Sequence, residues 1–412
     1  YADKGEYDKA LEYYDRSLKI YEELGDKLGM GKTLSNIGNV HRNRGEYDKA
    51  LDYSDKSLKI QEELGDKYGM GITLNSIGLV HARKGEYDKA LDYSERALKI
   101  KEEIGDKAGM GASLGNIGIV YIERGDYDKA LEYYGRSLKI AEEIGDKAGM
   151  GNNLGNIGNV YWYKGEYDKA LEYYDRSLKI REEIGDKRGM GTALNSIGIV
   201  NADRDDYDKA LDYYDRALKI QEELGDKYGM AYSLNSIGAV HLNRGEYDNA
   251  LEYFDRSLKI REELGDKYGM GNTLNSIGIV HYNRGEYDTA LEYYDRSLKI
   301  YEELGDKRGM GNTLNNIGIV HYNRGEYNKA AENLEKSLSI QKEIGLKEVE
   351  TTTYLYLSYT HLDKNYDEQD IHSLIKDAEN VEYEVNFRLY QLLDDTSYLE
   401  TAYNQVQETA SE

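Results

Sequence analysis

The chain has 412 residues, no cysteine, no proline and a formal net charge of −24. Lack of cysteine excludes a disulfide framework, a thiolate metal site and a cysteine nucleophile, and a reducing, cytoplasmic setting is the expectation. No apolar run approaches the ~20 residues that cross a bilayer, and no Lys/Arg cluster stands apart from acids, so neither a membrane nor nucleic acid is an expected partner.

The first residue is Tyr1, which points to a piece of a longer protein. The string GEYDKALEYYDRSLKI begins at Gly5 and returns, slightly altered, at Gly45, Gly85, Gly125, Gly165, Gly245, Gly285 and Gly325. A further copy, DDYDKALDYYDRALKI, starts at Asp205, where the leading glycine fails. The period is 40 residues as far as about Gly345, the mark of a repeat array rather than of separate domains. Residues 1–28 read as a partial first repeat, mainly its second helix. Residues 29–345 read as eight complete units, and 346–412 as divergent C-terminal helical repeats that cap the array.

Each unit predicts two helices. Between Asp66 and Ile104, the residues Met70, Leu74, Ile77, Gly78 and His81 have helical spacing. This first helix ends near Gly85, and glycines such as Gly29 and Gly31 leave room for an irregular start. Asp88 reads as the N-cap of a second helix carrying Ala90, Leu91, Ser94, Ala97, Leu98 and Ile100. That helix ends at Gly105, and Asp106 caps the next first helix. One pair cannot bury its own apolar face, whereas stacked pairs share a continuous core. Gly38, Gly78 and Gly118 fall on the buried stripe, where a missing side chain lets a helix approach closely despite ~1 kcal/mol of helix cost. Met30 to Met310 recur on the same face and read as core gap-fillers rather than a ligand surface. After Gly345, Val349 to His361 reads as a first helix and DKNYDEQDIHSLIKDAEN as a second. EVNFRLYQLL and YLETAYNQVQ, with a turn at 394–397, form the last pair.

These residues resemble a known family. Leu34, Ile37, Gly38, His41, Gly45, Tyr47, Ala50, Ser57 and Leu58 occupy the signature positions of the tetratricopeptide repeat (TPR). Leu154, Ile157, Gly158, Tyr161, Gly165, Tyr167, Ala170, Ser177 and Leu178 do the same. The usual repeat has about 34 residues and a proline after its second helix; here six extra residues replace the proline, as in the Pins/LGN type of repeat. The resemblance implies an all-α fold, a right-handed α-solenoid superhelix of tandem helix-turn-helix units, and a function in protein–protein interaction.

Catalytic readings fail on spacing. His41, His81, His241, His281 and His321 fall at one repeat position. Equivalent residues of successive repeats lie roughly 10 Å apart, too far to share a zinc ion, so they read as partly buried, hydrogen-bonded packing residues. GMGKT at Gly29 to Thr33 lacks the leading glycine of a P-loop, with Asp26 in its place. No reactive set converges, so no enzymatic activity, metal or cofactor is expected.

The TPR resemblance assigns the first helices to a concave groove. Over residues 30–44 and their equivalents only Glu123 and Asp203 are acidic, while Arg42, Arg83 and Arg124 are basic, so the negative charge sits on second helices and turns. The groove-facing positions hold Asn36, Asn39, Asn75, Asn116, Asn156, Asn159, Asn195, Asn235, Asn275, Asn315 and Asn316. Such amides can bond the backbone of a bound peptide; the alternative is that they bond neighbouring repeats. Positions that differ between units, among them Arg42, Trp162, Tyr282 and Tyr322, would give specificity. A chaperone-type carboxylate clamp is not expected, because its lysine is replaced by Ser35, Asn75, Gly115, Gly155 and Asn195.

The leading expectation is therefore a scaffold that binds a partner peptide or helix along this groove. Two alternatives stand beside it. One is a regulatory or sensor array of a larger signalling protein whose output domain lies outside the chain. The other is a self-associating structural repeat.

Overall fold

The computed structural model describes residues 7–344, 349–362, 364, 383–393 and 395–411. Among them are twenty helices and no strand. The chain divides into two compact units, Tyr1–Val240 and His241–Glu412.

In the first unit the helices are α1 Tyr7–Leu24, α2 Lys27–Asn43, α3 Tyr47–Leu64, α4 Lys67–Arg83, α5 Tyr87–Glu103 and α6 Lys107–Glu123. They continue as α7 Tyr127–Ile144, α8 Lys147–Tyr163, α9 Tyr167–Ile184, α10 Lys187–Ala202 and α11 Tyr207–Leu224. Helix α12, Lys227–Asn243, contains the boundary. The second unit holds α13 Tyr247–Leu264, α14 Lys267–Asn283, α15 Tyr287–Leu304, α16 Lys307–Asn323, α17 Tyr327–Glu343 and α18 Val349–His361. The last two helices are α19 Tyr383–Leu393 and α20 Thr396–Ser411. From α2 to α18 the even-numbered elements are first helices; the odd-numbered elements up to α17 are second helices.

The first helices start as the sequence predicts in one respect and not in another. Asp106 caps α6 by accepting the Gly109 N–H at 2.9 Å, and Asp26, Asp66, Asp146, Asp186, Asp266 and Asp306 do the same for their helices. With that cap in place the helix is regular from its first lysine, so the expected irregular start is corrected. Gly29 is instead a packing glycine, since a Cβ there would sit 2.4 Å from the Tyr21 ring.

Asp88 is not the N-cap of α5. The helix starts one residue earlier, at Tyr87, and Asp88 turns outward in the first turn to meet Arg124 at 3.3 Å. The residue at the cap position, Glu86, makes no cap bond. Its carboxylate turns back to His81 Nδ1 at 2.6 Å, while its backbone N–H donates to the His81 carbonyl at 2.9 Å. Glycine supplies the left-handed turn between the two helices, as at Gly85 with φ 74°. It also ends the second helices, as at Gly105 with φ 68°.

The buried glycines work by close approach. A Cβ on Gly118 would lie 2.8 Å from the ring of Tyr134, a fully buried residue of the paired helix. Met70, Met110 and Met190 pack against the core clusters, as gap-fillers do. Each histidine of the repeated position is a packing residue. His81 stacks on Tyr93 at 5.3 Å, and the Arg96 guanidinium covers that tyrosine at 5.2 Å.

In the second unit α18 packs on α17, with Tyr354 and Leu355 in one core with Leu334, Val385 and Leu389. The second helix expected in DKNYDEQDIHSLIKDAEN lies outside the described residues. Helices α19 and α20 pair, with Asn386 Nδ2 donating to Gln405 Oε1 at 3.0 Å. Thr396 and Ser397, expected in a turn, already belong to α20. Among the described residues no helix is long and apolar enough to cross a membrane.

Candidate peptide-binding face

Each first helix buries the stripe that meets its neighbours and presents the opposite one. In α2 the presented positions are Leu28, Lys32, Asn36, Asn39 and Asn43, at helical i+3 and i+4 steps. The equivalents in successive helices form rows, and the amides expected to act together separate into three of them.

One row lies beneath the face. Asn75 is buried and its Nδ2 donates to Ser113 Oγ of the next first helix at 2.9 Å. Asn195 is buried and accepts from Ser233 Oγ at 2.9 Å. Asn315 is equally buried, whereas Asn235 and Asn275 are half-buried. Asn275 accepts from Asn316 Nδ2 at 3.0 Å. Asn75, Asn195 and Asn275 tie neighbouring first helices together.

A second row is open at its asparagines in the first unit, whereas its second-unit asparagine, Asn316, donates to Asn275. Asn36 is exposed, Asn116 and Asn156 are half-buried, and none of the three has a side-chain hydrogen bond among the described residues. Between them Ser76 donates to Asn39 Oδ1 at 3.0 Å. Asn39 and Asn159 belong to a third row at the edge, and Asn159 accepts from the Tyr174 hydroxyl at 2.7 Å.

The variable positions stand at the C-terminal ends of the first helices. Trp162 is half-buried, tilts against Tyr163 at 4.8 Å and donates its indole N–H to Asp203 at 2.5 Å. Burial pushes up the pKa of the nearby Tyr174 hydroxyl, and Tyr163, Tyr232 and Asp203 add to the shift. Arg83 meets Glu123 of the next repeat at 3.1 Å. Arg42 is half-buried; burial and then the Arg83 charge lower its pKa. Arg124, read from sequence as part of the basic edge, is engaged by Asp88, as Lys84 is by Asp48 and Lys164 by Asp128. In the second unit the Tyr282 hydroxyl accepts from Asn323 Nδ2 at 2.7 Å. Tyr322 packs on Tyr354 at 5.2 Å, with the Arg388 guanidinium 5.6 Å from its ring centre.

Sequence reading passed over Asp203 and Tyr163 as parts of a site. Their signal was present, since both occupy the position of Arg83 in their own repeats, but a contact 41 residues along the chain needs the helix register to be seen.

Paired helices at a fixed period, with a buried glycine stripe and one presented face, define an α-solenoid repeat array. The tetratricopeptide repeat profile matches residues 1–63, 29–103, 69–143, 109–183, 149–223, 189–263, 229–303 and 269–343. The chain belongs to the tetratricopeptide-repeat family, whose arrays serve protein interaction. Comparison with curated proteins gives no match. Among solved structures, it is similar to aspartyl phosphate phosphatase F from Bacillus subtilis, with 16% identity, 82% of this chain and 94% of that one covered, and a TM-score of 0.55. It is similar to a signal transduction ATPase with numerous domains carrying a tetratricopeptide repeat sensor, from Pyrococcus horikoshii. That match has 18% identity and a TM-score of 0.54, and covers 86% of this chain but only 54% of the other. A Rap protein complexed with competence and sporulation factor matches at 17% identity and a TM-score of 0.50, over 84% of this chain and 98% of that one. At these identities the likeness is one of fold alone.

Proposed function

We propose that the chain is a non-catalytic scaffold whose first-helix face binds a peptide segment of a partner protein. The observation that carries this reading is the open set of Asn36, Asn116 and Asn156, amides with unused donors and acceptors at one repeat position, two repeats and one repeat apart. Asn75 and Asn195 serve the same face from below, by fixing the first helices that present it. Asn39, Asn159, Arg42, Arg83 and Trp162 border the row in the first unit. In the second unit Tyr282 and Tyr322 take the places of Arg42 and Trp162, and Asn275 lies beneath the face with Asn75.

Selection of phage-displayed peptides on the whole chain tests the proposal. Peptides so selected bind more weakly to Trp162→Ala, by roughly 2 kcal/mol, and to Asn116→Ala/Asn156→Ala, by roughly 1 kcal/mol per lost bond. Melting curves check that these variants stay folded. Loss of binding on changing Glu172 or Asp175 of the second helices instead, with the first-helix variants unaffected, overturns it.

A second reading, a sensor array of a larger signalling protein, has the fold likeness to the sensor-bearing ATPase in its favour, a chain of which this one covers 54%. Both readings use the same face. The full-length reading frame separates them: an ATPase or other output domain in it favours the sensor.

A further inference from the structure

The inference rests on the first-helix face being the binding face, and concerns the charge of what binds there. In the first unit the ends of successive first helices form a row one repeat apart: Asn43, Arg83, Glu123, Tyr163 and Asp203, with Arg42 and Trp162 beside it. Arg83 and Glu123 neutralise each other at 3.1 Å. What remains is a row positive at one end and negative at the other.

At the positive end, Arg42 has no carboxylate partner among the described residues. Its guanidinium donates to Asn43 Oδ1, at a long 3.4 Å. A guanidinium carries five donors in a planar fork that fits a carboxylate, and here most of them are unused on a half-buried group. The other basic residues along this edge, Lys84, Arg124, Lys164 and Arg204, are engaged by aspartates of the second helices. At the negative end, Asp203 is exposed and held by the Trp162 indole N–H. Tyr163, 50% exposed, tilts against Trp162 and stacks on Tyr127 at 5.8 Å. A carboxylate bordered by aromatic faces favours a cationic side chain.

We propose that the first unit takes an extended peptide of two signs, with Asp or Glu against Arg42 and Lys or Arg against Asp203 and the rings of Trp162 and Tyr163. The two anchors stand three to four repeats apart. At roughly 10 Å per repeat and about 3.3 Å per extended residue, the opposite charges lie about ten residues apart in the ligand.

Defined probes test this. Four fluorescein-labelled peptides of about 14 residues in a Gly/Ser/Asn background suffice. One carries Glu-Glu and Arg-Arg about ten residues apart, and one has the same residues adjacent in the middle. The other two are acidic at both ends or basic at both ends. Anisotropy titration of the whole chain at low salt is expected to rank the first about tenfold tighter than the others. Asp203→Lys costs it about tenfold, whereas Arg42→Glu weakens it and strengthens the doubly basic peptide, a gain that unfolding cannot mimic. Four affinities within twofold of one another, no binding of the two-signed peptide at about 1 mM, or loss of the doubly basic peptide in Arg42→Glu overturns the inference. If the four peptides bind alike and Asn116→Ala/Asn156→Ala weakens all of them, the charge rule falls and the binding face stands. If that variant weakens none of them, both fall.

Discussion

Asp205 stands where the other described first-to-second-helix turns have glycine, and among the described residues it is the one non-glycine with a positive φ, 59°. A side chain in that region costs roughly 1–2 kcal/mol, offset in part by the Tyr207 hydroxyl bond to Asp205 Oδ1 at 2.6 Å. Asp205→Gly is expected to raise stability by about 1 kcal/mol, and Asp205→Val to lower it by more; thermal denaturation reads both. Two glycines of α6 make a sharper pair. A Cβ on Gly115 meets nothing within 4 Å, whereas one on Gly118 strikes the Tyr134 ring at 2.8 Å. Gly115→Ala should therefore gain about 1 kcal/mol of helix propensity, and Gly118→Ala should lose roughly 1–3 kcal/mol to overpacking. Equal effects would remove the packing account of the glycine stripe.

At the scale of the element, the junction between first and second helix is an electrostatic clasp. Lys89 and then His81 hold the Glu86 carboxyl below its usual range, and His241 and Asn249 do so for Glu246. A folded pKa below the unfolded one stabilises above the ordinary carboxylate value, and that stability is lost as pH falls through the folded value. Burial raises Asp55, Asp175, Asp255 and Asp295, and these act the other way, since their penalty lifts on protonation. The lowered group also includes Glu46, Glu166, Glu286 and Glu326, so lowered carboxylates outnumber the raised ones. Melting temperature is expected to fall below about pH 4. Glu86→Gln/Glu246→Gln should melt lower at neutral pH and fall less steeply in acid; an unchanged acid slope would deny the clasp its role. The start of each first helix was legible because Asp106 and its equivalents precede a helix whose third residue offers a free N–H. The start of the second was misplaced at Asp88 because the sequence offers two acids in GEYD, and the one at the cap position is drawn back by histidine.

For the whole molecule, the 40-residue period carries the fold, and it was legible because no insertion interrupts it before about Gly345. What was not legible is which amides are spent within the array. Asn75 and Asn116 look alike in sequence, and only the helix register puts one beneath Ser113 and leaves the other open. In such an array stability is close to a sum of repeat and nearest-neighbour terms. Excision of Lys67 to Asp106, one full period, should therefore leave helicity per residue unchanged and lower the melting temperature, as circular dichroism would show. Collapse of helicity would mean a single cooperative core instead.

Trp162 is the only tryptophan of the chain and stands on the proposed binding face. Its emission, followed while a selected peptide is titrated into the whole protein, tests the central claim most directly. The account predicts a saturable blue shift, as the half-buried indole leaves water, with the same midpoint as binding measured by anisotropy of the labelled peptide. Full binding by anisotropy with Trp162 emission unchanged would place the ligand elsewhere and contradict it.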